Sequence, residues 1–270
     1  MRIAATILLA LSLALPGFAQ APVAGGRTPI TPDVFFRPGT IAISIYGGGA
    51  AFTDFQRGVA ETTDGTLSFQ RRLSGSTTAG VAAEVVTWFS PHLGARVHGS
   101  WLPTRFDVKY DPTGTQYMRL RNGTAPDWKR LHFWTLDASV LIRPSFSIGR
   151  FAPYAILGGG MASYQVRGEG ELPPEARSAF ASGSRSTWMI VGGLGAVVPL
   201  QRRGLLLSFA LTDHVTPTPL NDEGGGEVYQ EGDLTIRVAD PRETGSDGVS
   251  LTGNFRLMVG LTLPLGRIGG

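Results

Sequence analysis

The chain has 270 residues, a formal net charge of +3, 42% hydrophobic residues and only 17% charged ones. That is length for one large domain or two small ones, with fewer charges than the usual quarter of a soluble domain. Cysteine is absent, which excludes disulfides, thiolate metal sites and thiol nucleophiles. Lysine occurs only at 109 and 129, and no basic run is long enough for a nucleic-acid footprint, so nucleic acid is excluded as a partner.

In chain order, "MRIAATILLALSLALPGFAQA" comes first. Arg2 supplies a positive start, Ile3 to Leu15 an apolar stretch, and "GFA" a small-residue cleavage site, so residues 1–19 are expected to be a secretory signal peptide. Its apolar stretch is too short for an ordinary membrane span. Residues 20–38, rich in Pro and Gly, read as an extended N-terminal arm. From 39 to 266 the pattern is strand after strand, with no convincing helical period. Strands are expected at about Thr40–Asp54, Thr78–Phe89, Gly94–Tyr110, Leu131–Ser145, Phe151–Gly168, Ser186–Leu200, Leu205–Thr216 and Asn254–Leu265. Connections near 90–94, 145–151 and 199–204 are short. Those near 55–77, 111–130, 169–185 and 217–250 are long and polar. Long and short alternate, which in an up-and-down array gathers the long loops at one end and the tight turns, with both chain ends, at the other.

The strands alternate with a period of two. In "HFWTLDASVLIRP" Trp134, Leu136, Ala138, Val140 and Ile142 oppose a set containing Thr135, Asp137 and Ser139. In "GVAAEVVTWF" Glu84 lies opposite Val81 and Val85, and in "GARVHGSW" Arg96 and His98 lie opposite Val97 and Trp101. In "PYAILGGGMASYQVR" the apolar set is read as Tyr154, Ile156, Gly158, Gly160, Ala162, Tyr164 and Val166. The last strand sets Phe255, Leu257, Val259, Leu261 and Leu263 against Arg256. Charges in the strand middles thus share one face with small residues. Water inside and lipid outside explains that better than the reverse, because Arg facing mid-bilayer lipid costs roughly 2–4 kcal/mol and acids less. Turning Glu84, Arg96, Asp137 and Arg256 to lipid would cost on the order of 10 kcal/mol, a whole domain's stability. Aromatics at the ends of the outer face, Phe89 and Tyr154 by the tight turns and Trp101, Trp134, Tyr164, Trp188 and Phe255 towards the long loops, read as two interfacial girdles.

The hairpin "GVAAEVVTWFSPHLGARVHGSW", the strand "FAPYAILGGGMASY" and the closing "RLMVGLTLPLG" together resemble the small eight-stranded outer-membrane β-barrel families, typified by the OmpA transmembrane domain and the OmpX and OmpW types. The resemblance covers about Gly39 to Gly266. It implies an all-β, eight-stranded antiparallel up-and-down transmembrane β-barrel, a monomer in the outer membrane of a didermic bacterium. Its partners would be outer-membrane lipids and the barrel-assembly machinery, with an extracellular ligand at the loops. Such proteins end on an aromatic read by that machinery; this chain ends "LPLGRIGG", leaving Leu263 to Leu265 to take that part.

Glu84, Arg96, His98, Asp137, Arg143 and Arg256, with His214 beside them, are expected to form a polar network that fills a lumen too narrow for a channel. Asp213 and His214 in "TDHVTPTPLND" sit near a strand end, as in rim-sited lipid A hydrolases. As chain neighbours they point to opposite faces and cannot pair as base and orienter. "VGGLGAVV" lacks the third glycine and the helix of a dinucleotide loop. The acidic stretch "NDEGGGEVYQEGD" lacks EF-hand spacing, and "NGT" at 122–124 is a sequon without consequence in a bacterial envelope. No catalytic residue, cofactor or metal is assigned. The expected function is structural or surface-interacting and not enzymatic. The alternatives are OmpW-like passage of small hydrophobic molecules through a lateral opening, a secreted soluble lipophile-binding calyx and a rim-sited lipid hydrolase.

Overall fold

Extended, alternating segments with glycine at close cross-strand contacts build an all-β molecule. In the computed structural model, residues 34–267 are described apart from 64, 66–67, 112–127, 149, 174–175, 178, 201–204, 221–227, 232–233 and 239–250. The expected signal peptide, the sequon and most of the acidic loop therefore lie outside the described residues. The strands are β1 (Thr40–Phe52), β2 (Asp54–Thr62), β3 (Ser68–Gly75), β4 (Thr78–Trp88), β5 (Leu93–Asp111) and β6 (Arg130–Ile142). They continue as β7 (Ala152–Arg167), β8 (Ser184–Pro199), β9 (Leu206–Pro217), β10 (Val228–Glu231), β11 (Leu234–Val238) and β12 (Leu251–Arg267).

The eight-stranded up-and-down barrel expected from the sequence is corrected by this strand inventory. Twelve strands form one antiparallel sheet in the order β10-β11-β2-β3-β5-β4-β1-β12-β9-β8-β7-β6, with a further β5–β6 pairing. The sheet branches at β5. Its first half pairs with β4 from Gly94 to Trp101 and with β6 from Leu93 to Arg105. Its second half, Phe106 to Asp111, pairs with β3 instead. β1, β4 to β9 and β12 each have neighbours from that same set on both sides, and they wrap around a common interior. β2, β3, β10 and β11, with the second half of β5, make the branch.

Two segments expected to be polar loops are thus partly strand. The 55–77 segment is the β2–β3 hairpin, which continues β1 and β4 past an interruption at Thr53 and one at Ser76 and Thr77. Within the 217–250 segment, the β10–β11 hairpin adds itself to the free side of β2. The period-two signal of β2 is broken by a register shift between Asp54 and Gln56, and a bulge of this kind moves later side chains to the other face. Only residues 34–38 of the expected N-terminal arm are among the described residues. Phe35 and Phe36 are buried, stacking edge-on against Trp88 at ring-centroid distances of 5.8 and 4.7 Å, so they stopper the tight-turn end instead of forming a free linker.

Burial follows strand parity. Along β6, Leu136 is 61% exposed while Asp137 is 2%. The outward face of the wrapped strands is aliphatic, with Ile45, Val97, Val140, Leu194 and Leu261 among its exposed residues. Glycine allows the walls to approach: a Cβ at Gly160 would overlap the backbone of Leu136 and Asp137, and one at Gly195 would run into the ring of Tyr154.

Candidate functional site

The interior is stacked in three storeys. The lowest, at the tight-turn end, is the aromatic stopper of Phe35, Phe36, Trp88 and Tyr154. The highest is a second aromatic layer, in which Phe133 meets Tyr164 at 4.5 Å and Phe52 at 5.6 Å, and Phe55 meets Tyr164 at 6.0 Å. Between them lie the ionisable side chains.

Cross-strand register brings those side chains together. Ser44 stands opposite Glu84, Glu84 opposite His98, and His98 opposite Asp137. Arg96, one inward step below His98 on β5, bridges the two carboxylates: its Nη1 donates to Glu84 Oε2 at 3.2 Å and its Nη2 to Asp137 Oδ1 at 3.4 Å. Glu84 Oε1 also accepts from Ser44 Oγ at 3.0 Å and from the Tyr46 hydroxyl at 2.6 Å. Asp137 accepts from Ser139 Oγ at 2.8 Å, and its Oδ2 lies 2.8 Å from His98 Nδ1 and 3.8 Å from His214 Nε2. Arg256, arriving from β12, donates through Nε to Asn254 Oδ1 at 2.5 Å, and through Nη1 to Ser100 Oγ and, at 3.3 Å, to Thr135 Oγ1. Its guanidinium lies over the Phe133 ring at 5.4 Å, beneath the upper aromatic layer.

The layer thus holds two carboxylates and two guanidinium groups, with Arg96 pairing both carboxylates and Arg256 donating to the uncharged oxygens of Asn254, Ser100 and Thr135. This matters because burying an unpaired ion costs several kcal/mol, and removing one member of a buried pair costs about 3–5 kcal/mol. His98, Asp137 and His214 offer ligating atoms within 4.8 Å of one another, a donor set that suits zinc or non-haem iron. Asp137, however, already accepts from Arg96, Ser139 and His98, and a metal cation there would sit against two guanidinium groups. The chemistry of the cluster fits an ion-paired filling better than a metal centre. His98 and Asp137 also have the base-and-orienter geometry of a hydrolase. The neighbouring hydroxyls are nevertheless buried and engaged in the network, with aromatic layers above and below.

Of the residues expected in the network, Glu84, Arg96, His98, Asp137 and Arg256 meet inside. Arg143 does not join them. It lies just beyond β6 at the tight-turn end, with its guanidinium 4.0 Å from the Phe36 ring centroid. His214 is fully buried beside Asp137, whereas Asp213 points outward, its carboxylate reaching past Phe255 towards Gly253 at the long-loop side. Tyr46 was missed by the sequence reading, though β1 carried the signal: Ile41, Ile43 and Ile45 alternate with Ala42, Ser44 and Tyr46.

Among the expected girdle residues, Phe89, Trp134, Trp188 and Phe255 are exposed on the outer face, and Trp101 is half-exposed. Tyr154 and Tyr164 are corrections. Both are buried inside, at 2% and 1% exposure. The reading of β7 was inverted: Leu157 and Met161 point out, while Tyr154, Ile156, Ala162 and Tyr164 point in. With Gly158, Gly159 and Gly160 at its centre, this strand carries too little contrast between its two sets for alternation to decide the side.

No family model matches the chain, and no curated relative does. Solved structures with similar shape include the outer membrane protein OprG from Pseudomonas aeruginosa, at 13% identity and a TM-score of 0.45, covering 86% of this chain and 99% of that one. The outer membrane protein AlkL is similar at 11% identity and a TM-score of 0.41, covering 93% and 99%. The outer membrane protease OmpT from Escherichia coli is similar at 12% identity and a TM-score of 0.37, covering 84% and 97%. At these scores the likeness transfers no activity from any of them.

Proposed function

We propose that this chain is an outer-membrane protein of structural or surface-interacting type, held in lipid by the apolar outer face of its sheet and filled by the ion-paired layer. One observation supports this reading above the others: polarity changes sides partway along single strands. In β5, Val97 and Trp101 face outward while Arg96, His98 and Ser100 face inward. Beyond Trp101 the outward residues include Arg105 and Lys109, and the inward ones are Leu102, Thr104, Phe106, Val108 and Tyr110. β6 does the same, from outward Leu136 and Trp134 to outward Arg130 with Leu131 and Phe133 inside. The pleat itself continues unchanged through the switch. A strand in one solvent has no reason to do this; a strand passing from lipid into water does, with tryptophan at the crossing.

Among the described residues no helix is long and apolar enough to cross a membrane, so the spanning task falls to strands. The belt, roughly nine residues per strand, suits a tilted crossing of the hydrocarbon layer. A soluble calyx would put its aliphatic face inward, the opposite of the burial along β4 and β12 and along the tight-turn halves of β5 and β6. Passage of small molecules along the axis is disfavoured by the two aromatic layers and the ionic storey between them, and enzymatic turnover by the same enclosure. The test is extraction: washing envelope membranes with alkaline carbonate or urea leaves an integral protein in the pellet, and release of this chain into the wash would remove the proposal.

A further inference from the structure

Resting on that membrane reading, we infer that three arginines just above the belt form a binding site for the phosphorylated headgroup of an outer-leaflet glycolipid. Arg105 of β5 stands directly opposite Arg130 of β6, and Arg130 directly opposite Arg167 of β7. Three like charges on neighbouring strands lie roughly 5 Å apart per strand step, all exposed on the outward face. Like charges directly opposite each other destabilise a sheet, so such a row calls for a counter-charge. Among the described residues, no carboxylate lies within ion-pair distance of any of the three. Among the described residues, the one hydrogen bond made by their guanidinium groups is from Arg167 Nη2 to Gln165 Oε1 at 3.3 Å. The neighbouring Glu171 is turned instead to Arg177, at 3.4 Å.

The arginines line a surface hollow of about 500 Å³, together with Trp128, His132 and Glu169. Glu169 is the one carboxylate in that lining, leaving an excess of positive charge. Height identifies the occupant. Four residues below Arg105 and Arg130 on their strands are Trp101 and Trp134, with ring centroids 5.8 Å apart. Between the levels, Trp101 Nε1 donates to His132 Nδ1 at 3.2 Å, which fixes the imidazole in the wall of the hollow. Four residues span about 13 Å along a strand, or roughly 10 Å along the membrane normal after a tilt of about 40°. The guanidinium row is thus placed where headgroup phosphates lie when the tryptophans mark the edge of the hydrocarbon. Guanidinium forks bind phosphate oxygens two at a time, and a row about 10 Å long matches a headgroup bearing more than one phosphate better than a single free ion.

The test uses the full chain in detergent and then in bilayer discs, first scored for resistance to carbonate extraction in vesicles. Discs of phosphatidylcholine carry either bis-phosphorylated lipid A or the same lipid with its phosphates removed, and a third arm offers inorganic pyrophosphate without glycolipid. Retained lipid per protein after washing is counted by mass spectrometry, and pyrophosphate binding by calorimetry. The wild-type chain is expected to retain the phosphorylated form at least tenfold over the dephosphorylated form. The combined variant Arg105→Gln, Arg130→Gln, Arg167→Gln is expected to lose that preference by tenfold or more while resisting carbonate as the wild type does. Equal retention of the two lipids, unchanged retention by the variant, or pyrophosphate binding as tightly as the glycolipid would each overturn the headgroup assignment. Release of the wild-type chain by carbonate would overturn the membrane reading beneath it, and that arm alone reports on it.

Discussion

The belt and the branch are built from the same pleated strands with opposite sorting. In the belt, between the levels of Trp88 and Trp101, aliphatic side chains face out and Glu84, Arg96, Asp137 and Arg256 are enclosed. In the branch, Phe69, Leu73, Phe106, Leu234 and Ile236 are enclosed, and Arg57, Arg72 and Lys109 face out. Each half obeys the rule that burial must satisfy polar groups and remove apolar ones from water. On the membrane reading proposed above, what differs is the medium outside. The interior of the belt is then polar because its wall would be spent on lipid contact. A small enclosed volume holds charges best when their partners are enclosed with them: Arg96 bridges both carboxylates, and Arg256 donates to Asn254, Ser100 and Thr135.

This contrast can be broken from the inside first. Asp137→Ala would leave Arg96 with Glu84 alone, put the layer one positive charge in excess and take from His98 its acceptor, and should cost about 3–5 kcal/mol. Phe106→Ala would open a cavity in the branch core and should cost a similar 3–5 kcal/mol by a different route. Urea titrations of the two variants in the same lipid would tell them apart: Asp137→Leu, refilling the volume without charge, should not rescue the first while Arg96 remains, whereas Phe106→Leu should recover most of the second. Equal rescue would mean that the ionic layer matters only as packing.

From the outside the expected effects are smaller and asymmetric. Leu136→Arg places a charge on the belt wall and should cost about 2–4 kcal/mol in a bilayer. Lys109→Leu on the branch exterior should change stability by no more than about 0.5 kcal/mol, since its contact with Asp107, at 3.7 Å, is a long one made by an exposed lysine. If Lys109→Leu proved as costly as Leu136→Arg, the boundary would not lie at Trp101. The smallest expected signal is electrical: planar bilayers holding the protein should show no step conductance above background, because side chains occupy the axis. Stable unitary currents would mean that the aromatic layers open.

Alternation alone made much of this legible. Period-two contrast in β4, β5, β6 and β12 is strong, so the inward set Glu84, Arg96, His98, Asp137 and Arg256 could be chosen from residue order. Tyr154 and Tyr164 were placed on the wrong side because the glycines of β7 carry no contrast. The β2–β3 and β10–β11 hairpins read as loops because they are short, bulged or rich in polar residues. Arg143 shared the parity of the network but sits too near the end of β6 to reach it.

What the residue order determines by itself is local: which stretches are extended, and which side chains within a strand share a face, since both follow from φ/ψ preference and the two-residue repeat. What the tertiary structure decides is register and pairing. Nothing in β5 alone says that it must leave β4 for β3 at Phe106, or that Arg105, Arg130 and Arg167 fall in one row. Those facts arise because hydrogen-bonded strands choose neighbours by the total fit of both faces, a sum that runs over residues far apart in the chain.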